Sequence, residues 1–94
     1  MPEAIIITPV KDSLKTTNLT IKAISQLKGN FEYFVFNDFS QPETKQFLEQ
    51  AKTKYGFQLI HLEDITSTPS PNYKLVLEMA QQLALEKKSD LSAV

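Results

Sequence analysis

Apolar positions recur along this chain in two alternating rhythms. Short runs that are apolar throughout, rich in β-branched or aromatic residues, alternate with longer stretches in which they recur every three or four positions. The first run, Ala4 to Thr8 (AIIIT), is stopped by Pro9 and reads as a strand buried on both faces. The next stretch predicts a helix from Asp12 or Ser13, either of which is a strong cap, to about Lys28. Its inner face is Leu14, Thr17, Ile21, Ile24 and Leu27, and Gly29-Asn30 ends it. Phe31 to Asn37 (FEYFVFN) predicts a second strand. Ser40-Gln41-Pro42-Glu43 fits a capping box, opening a helix that buries Phe47, Leu48, Ala51 and Tyr55 before Gly56. Phe57 to Leu62 predicts a third strand, and Glu63 to Asn72, rich in Ser, Thr and Pro, predicts a loop. A third helix follows with Tyr73, Val76, Leu77, Ala80, Leu83 and Ala84 on one face, and Leu91 to Val94 opens a fourth strand.

The resulting order is β-α-β-α-β-α-β. It predicts an α/β fold in three layers, a Rossmann-like parallel sheet with right-handed crossovers and helices on both faces. The loop Glu63–Asn72 is long enough to return to the far side of the first strand, giving strand order 3-2-1-4 with the switch point between strands 1 and 4. All 94 residues fit a single domain. A bare fourth strand of about four residues reads as the truncated part of a larger domain. Its edge, and the helix face beside it, are then candidates for homodimer contacts.

Composition narrows the chemistry. Net charge is −1, which gives no basic field for nucleic acid or membrane. All ten basic residues are Lys, so the bidentate guanidinium fork for phosphate is missing. The absence of Cys excludes disulfides, thiolate metal sites and a cysteine nucleophile. The two glycines both follow helices, so neither a G-x-G-x-x-G fingerprint nor a P-loop is possible. A lone His61 provides neither a metal cluster nor a triad. The aromatic positions Phe31, Tyr33, Phe34 and Phe36 have strand spacing and read as core.

Ligands of open parallel sheets bind outside the carboxyl ends of the strands. There the sequence places Thr8, Pro9, Val10, Lys11 and Asp12 after the first strand and Asn37-Asp38 after the second. Asp38 at this position has two readings, a helix cap or a hydrogen-bonding group for a base or sugar.

Three stretches, "AIIITPVKDSLKTTNLTIKAISQL", "FEYFVFNDFSQPET" and "PNYKLVLEMAQQLA", together resemble the N-terminal half of family 2 glycosyltransferases of the GT-A fold. In that family a P-T-Y-N-like turn follows the first strand and V-D-D-G-S ends the second. The resemblance implies that Asp38 matches the second Asp of D-D-G-S and Asn37 the first. Without gaps Thr8, Pro9, Val10 and Lys11 lie under the P-T-Y-N turn, while a shift of one puts Pro9 under its Pro; all six are implied to contact the nucleotide of a nucleotide diphosphate sugar. Phe39 stands where the family has Gly, and the third helix lacks the family's small-residue pattern. The family's metal-binding D-x-D follows the fourth strand and its catalytic base lies further on. The resemblance therefore implies a divalent metal, Mn or Mg, and catalysis for the full-length transferase, with no catalytic or metal-binding residue in this chain. It also implies a cytoplasmic location, at the inner face of the membrane through the remaining part. The alternative from a different class is a stand-alone, non-catalytic α/β module that binds a nucleotide or a protein.

Overall fold

The computed structural model describes residues 2–94. Four strands, β1 (Ala4–Val10), β2 (Phe31–Asn37), β3 (Gln58–His61) and β4 (Asp90–Ala93), form one parallel sheet in the order β3-β2-β1-β4. The helices are α1 (Leu14–Ser25), α2 (Pro42–Tyr55) and α3 (Tyr73–Lys87), and a short 3-10 turn occupies Leu62–Asp64. The strand order matches the sequence expectation. Successive right-handed crossovers through α1 and α2 step outward in one direction, and the long connection before α3 returns to the other side of β1.

Each central strand is apolar on both sides because each side meets a helix layer. Ile6, Val10, Tyr33 and Val35 pack with Ile21 and Ile24 of α1 and with Leu48 and Ala51 of α2. Their neighbours in sequence, Ile5, Ile7, Phe34 and Phe36, pack on the opposite face with Val76, Ala80 and Ala84 of α3. Tyr33 and Phe57 meet edge to face, with ring centroids 5.8 Å apart.

Several boundaries differ from the pattern, each for a local reason. Strand β1 runs through Pro9 to Val10. The Val10 carbonyl accepts from Asp38 on the β2 side, whereas the Ile7 carbonyl accepts from Val94 on the β4 side. By alternation, the position of the missing Pro9 N–H faces the β4 side, beyond the last paired residue there, so no ladder bond is lost. Helix α1 ends at Ser25 rather than near Lys28. Gln26 and Leu27 instead bond back to Ala23 and Ile24 in tighter turns, which leaves Leu27 exposed. Tyr73 opens α3 on its exposed side rather than on the core face. Gly56 ends α2 as expected, at φ 80°, and its N–H bonds to the Lys52 carbonyl.

The packing predicts a sharp contrast between two substitutions. Phe36 is fully buried, so Phe36→Ala should cost about 3–5 kcal/mol. Leu19, which is 62 % exposed, should tolerate alanine within about 0.5 kcal/mol. Urea unfolding of the two variants measures both, and comparable losses would contradict the packing.

Candidate functional site

The carboxyl ends of β1 and β2 lie side by side, with Val10 paired to Asn37. Immediately beyond them the chain turns twice through the left-handed region, at Asp12 (φ 56°) and Phe39 (φ 58°). For aspartate this conformation is accessible. For a bulky aromatic residue it is a genuine outlier, of the kind that costs on the order of 1–3 kcal/mol and concentrates at functional sites.

Asp38 lies between strand and turn and is 7 % exposed. Its carboxylate is bidentate toward Asn72, the residue before α3. Oδ2 accepts from the Asn72 backbone N–H at 2.7 Å, and Oδ1 accepts from Asn72 Nδ2 at 2.9 Å. The same Nδ2 also donates to the Thr68 carbonyl at 2.9 Å. Asp38 therefore fixes the start of α3, 34 residues away in sequence, and does not cap the adjacent α2. Two of the roughly four acceptor positions on an ionised carboxylate are used this way.

The start of α2 is held by Asp12. Its Oδ1 accepts from the Gln41 backbone N–H at 2.7 Å and from Thr44 Oγ1 at 3.1 Å. In return the Ser40 hydroxyl oxygen accepts from the Asp12 N–H at 3.0 Å. The capping box expected within Ser40–Glu43 is thus replaced. Gln41 precedes the helix without a side-chain cap, and a carboxylate 29 residues away takes the role expected of Glu43. The hydrogen bond from Gln41 holds the Asp12 carboxyl below its ordinary value, with Thr44 and Lys11 adding to it and partial desolvation opposing. Lys11 donates to the Phe39 carbonyl and lies 3.7 Å from Asp12 Oδ2.

The other sequence-identified positions point inward. Thr8 is buried, and its hydroxyl shares a 2.6 Å hydrogen bond with the Tyr33 phenol, whose pKa is pushed up by burial. Val10 belongs to the α1–α2 core, and Pro9 is half-buried. Asn37 is fully buried, and its Nδ2 lies 3.0 Å from His61 Nδ1. With Asn37 donating, the imidazole proton sits on Nε2, which lies 2.8 Å from Glu49 Oε1 of α2. That hydrogen bond holds the Glu49 carboxyl below its ordinary value. The remaining atom, Asn37 Oδ1, is buried without a hydrogen-bond partner. Such an orphan costs about 1–3 kcal/mol and calls for an explanation. Glu63, in the 3-10 turn after β3, forms an ion pair with Lys45 at 3.4 Å.

The six positions therefore gather at one edge of the sheet, but along two directions. Lys11 lies at the exposed lip, whereas Thr8, Val10, Asn37 and Asp38 lie beneath it. Sequence reasoning missed Asn72 and Thr44. Both are polar residues at helix starts, which is the signal that was available. No protein-family model matches the chain, and no curated protein or solved structure is significantly similar to it.

The lowered Asp12 and Glu49 carboxyls contribute to the acid limb of stability. A carboxylate whose folded pKa lies below its unfolded value contributes stability above the unfolded value. That contribution disappears as pH falls through the folded one. The urea midpoint should therefore fall below about pH 4. Asp12→Asn tolerates the left-handed backbone and should flatten that fall. An unchanged pH profile in the variant would show that Asp12 contributes nothing to it.

Proposed function

We propose that these residues form the donor-nucleotide half of a glycosyltransferase of the GT-A kind, which transfers a sugar from a nucleotide diphosphate sugar to an acceptor. The observation that carries the reading is the turn after β2. In the D-D-G-S element that this stretch resembles, a glycine follows the second Asp. Here Phe39 follows Asp38 and adopts the left-handed backbone that glycine takes without steric cost. The strained turn keeps a glycine-type path despite the side chain. The sheet order supports the same reading, because it puts the switch point between β1 and β4, next to Thr8–Lys11 and one strand away from Asn37–Asp38. The buried orphan Asn37 Oδ1 lies at that same edge.

In this reading Lys11 supplies positive charge toward the diphosphate, and Asp38 uses its remaining lone pairs to hydrogen-bond the base or ribose. Half-buried Pro9 supplies apolar surface at the edge, with Thr8, Val10 and Asn37 setting the strand ends beneath. A divalent metal, Mn or Mg, would neutralise the leaving diphosphate, held by the D-x-D that the family places after the fourth strand. The catalytic base likewise belongs to the acceptor side of such a transferase, so these residues bind donor without turning it over.

A second reading, the protein-binding form of the non-catalytic module, is favoured by one observation. Thr8, Lys11 and Asp38 each spend hydrogen bonds within the protein, on Tyr33, Phe39 and Asn72. Titrating uridine and guanosine diphosphates into the labelled chain by NMR separates the two. The donor reading expects a dissociation constant on the order of millimolar, with shifts centred on Thr8–Lys11 and Asn37–Ser40. Lys11→Met should weaken a nucleoside diphosphate more than the bare nucleoside. Absence of shifts at those amides up to about ten times that concentration would remove the donor reading and leave the module.

A further inference from the structure

The two faces of the sheet are covered unequally. Helices α1 and α2 share one face, whereas α3 is the only helix on the other among the described residues. There α3 packs over β1 and β4. Neighbouring strands are about 4.8 Å apart and a helix with its side chains is about 10 Å wide, so a single helix covers roughly two strands. On this face the β2 side chains Phe34 and Phe36 are themselves buried, so what stays open is a shallow trough over β3 beside α3. Phe34 and Ile60 form its floor, and Leu75, Met79 and Leu83 form its wall.

The rim of the trough has one sign of charge. Glu78 and Glu86 stand along the flank of α3 that borders it, separated by Gln82. Glu78 makes no ion pair among the described residues, and Glu86 accepts only a neutral hydrogen bond from Gln82 at 3.2 Å. The nearest basic residues on α3 do not offset them. Lys87 is committed to Glu32 of β2 at 3.2 Å, and Lys74 forms no ion pair with either glutamate. Two copies meeting through this trough would set their glutamates against one another, which disfavours self-association here.

We infer that the trough is a docking surface for an amphipathic helix of a partner protein, with an apolar stripe at i, i+3, i+4 and i+7 flanked by Lys or Arg. The apolar stripe fills the slot beside α3, and the basic flank meets Glu78 and Glu86. The partner's helix then completes the second layer of this sheet face. The trough shares none of the six residues assigned to the donor, so the inference does not rest on donor binding.

The test uses the whole chain and two synthetic helical peptides of about 18 residues, long enough to hold helical structure on binding. Both carry the same Leu stripe, one with Lys flanks and the other with Glu flanks. The Lys-flanked peptide should shift the signals of Ile60, Met79 and Leu83 and bind about tenfold or more tighter than the Glu-flanked one, with a preference that weakens in salt. Met79→Lys should abolish the shifts. The double variant Glu78→Lys, Glu86→Lys should reverse the preference between the peptides, a result that loss of folding cannot imitate. Equal binding of the two peptides, shifts centred away from the trough, or no shifts would overturn the inference. So would a concentration-dependent dimer in sedimentation that Met79→Lys disperses, since the trough would then hold a second copy.

Discussion

A single buried carboxylate ties the two halves of this fold together. Asp38 follows β2, the second strand in chain order, and each of its oxygens accepts a hydrogen bond from Asn72, the last residue before α3. The ten residues between the 3-10 turn's first residue and α3 contain little that is apolar enough to hold itself in place, and the helix that follows covers β1 and β4 on one sheet face. Where α3 begins decides whether Val76, Ala80 and Ala84 reach Ile5, Ile7 and Phe36, and it also sets where β4 joins β1. Nearly full burial strengthens the clamp, because the low local dielectric makes each charge-assisted hydrogen bond worth more and its loss more costly.

Asp12 does the same for α2 on the other side of the edge, from a more exposed position. The two aspartates leave adjacent strands and reach the starts of different helices, so the carboxyl edge is laced together by side chains reaching backbone N–H groups far off in sequence. Residues that a ligand would need there are pre-positioned by these bonds. The left-handed turns at Asp12 and Phe39 are the cost of that arrangement, since the chain must bend sharply to send each strand end toward its helix.

The layers and the strand order were legible because they rest on local chemistry. Apolar runs of Ile and Phe are buried on two faces when helices cover both sides of the sheet, and a long polar loop before the last helix gives the length for a return across the sheet. The helix faces were legible for the same reason, apart from Leu27 and Tyr73, where the periodicity continues beyond the point at which the backbone stays helical or buried. The caps were not legible. Ser40 and Glu43 have the spacing of a capping box, but a spacing motif cannot register a competing carboxylate 29 residues upstream. Asp38 was recognisable as an unusual residue at a strand end, yet its partner Asn72 is identified only once the loop is folded back. Pro9 looked like a strand terminator because its missing donor matters only if a neighbouring strand faces it, and which side that is depends on the sheet order.

The account stands on the coupling between Asp38 and Asn72, and a double-mutant cycle measures it directly. Asp38→Ala, Asn72→Ala and the double variant, unfolded in urea, should give a coupling of about 1–2 kcal/mol, within the range found for residues in one hydrogen-bond network. The loss from Asp38→Ala should exceed that from Asn72→Ala, since the backbone N–H of residue 72 still bonds the carboxylate in the latter. Strictly additive losses, with no coupling beyond experimental error, would contradict the claim that this carboxylate organises the edge.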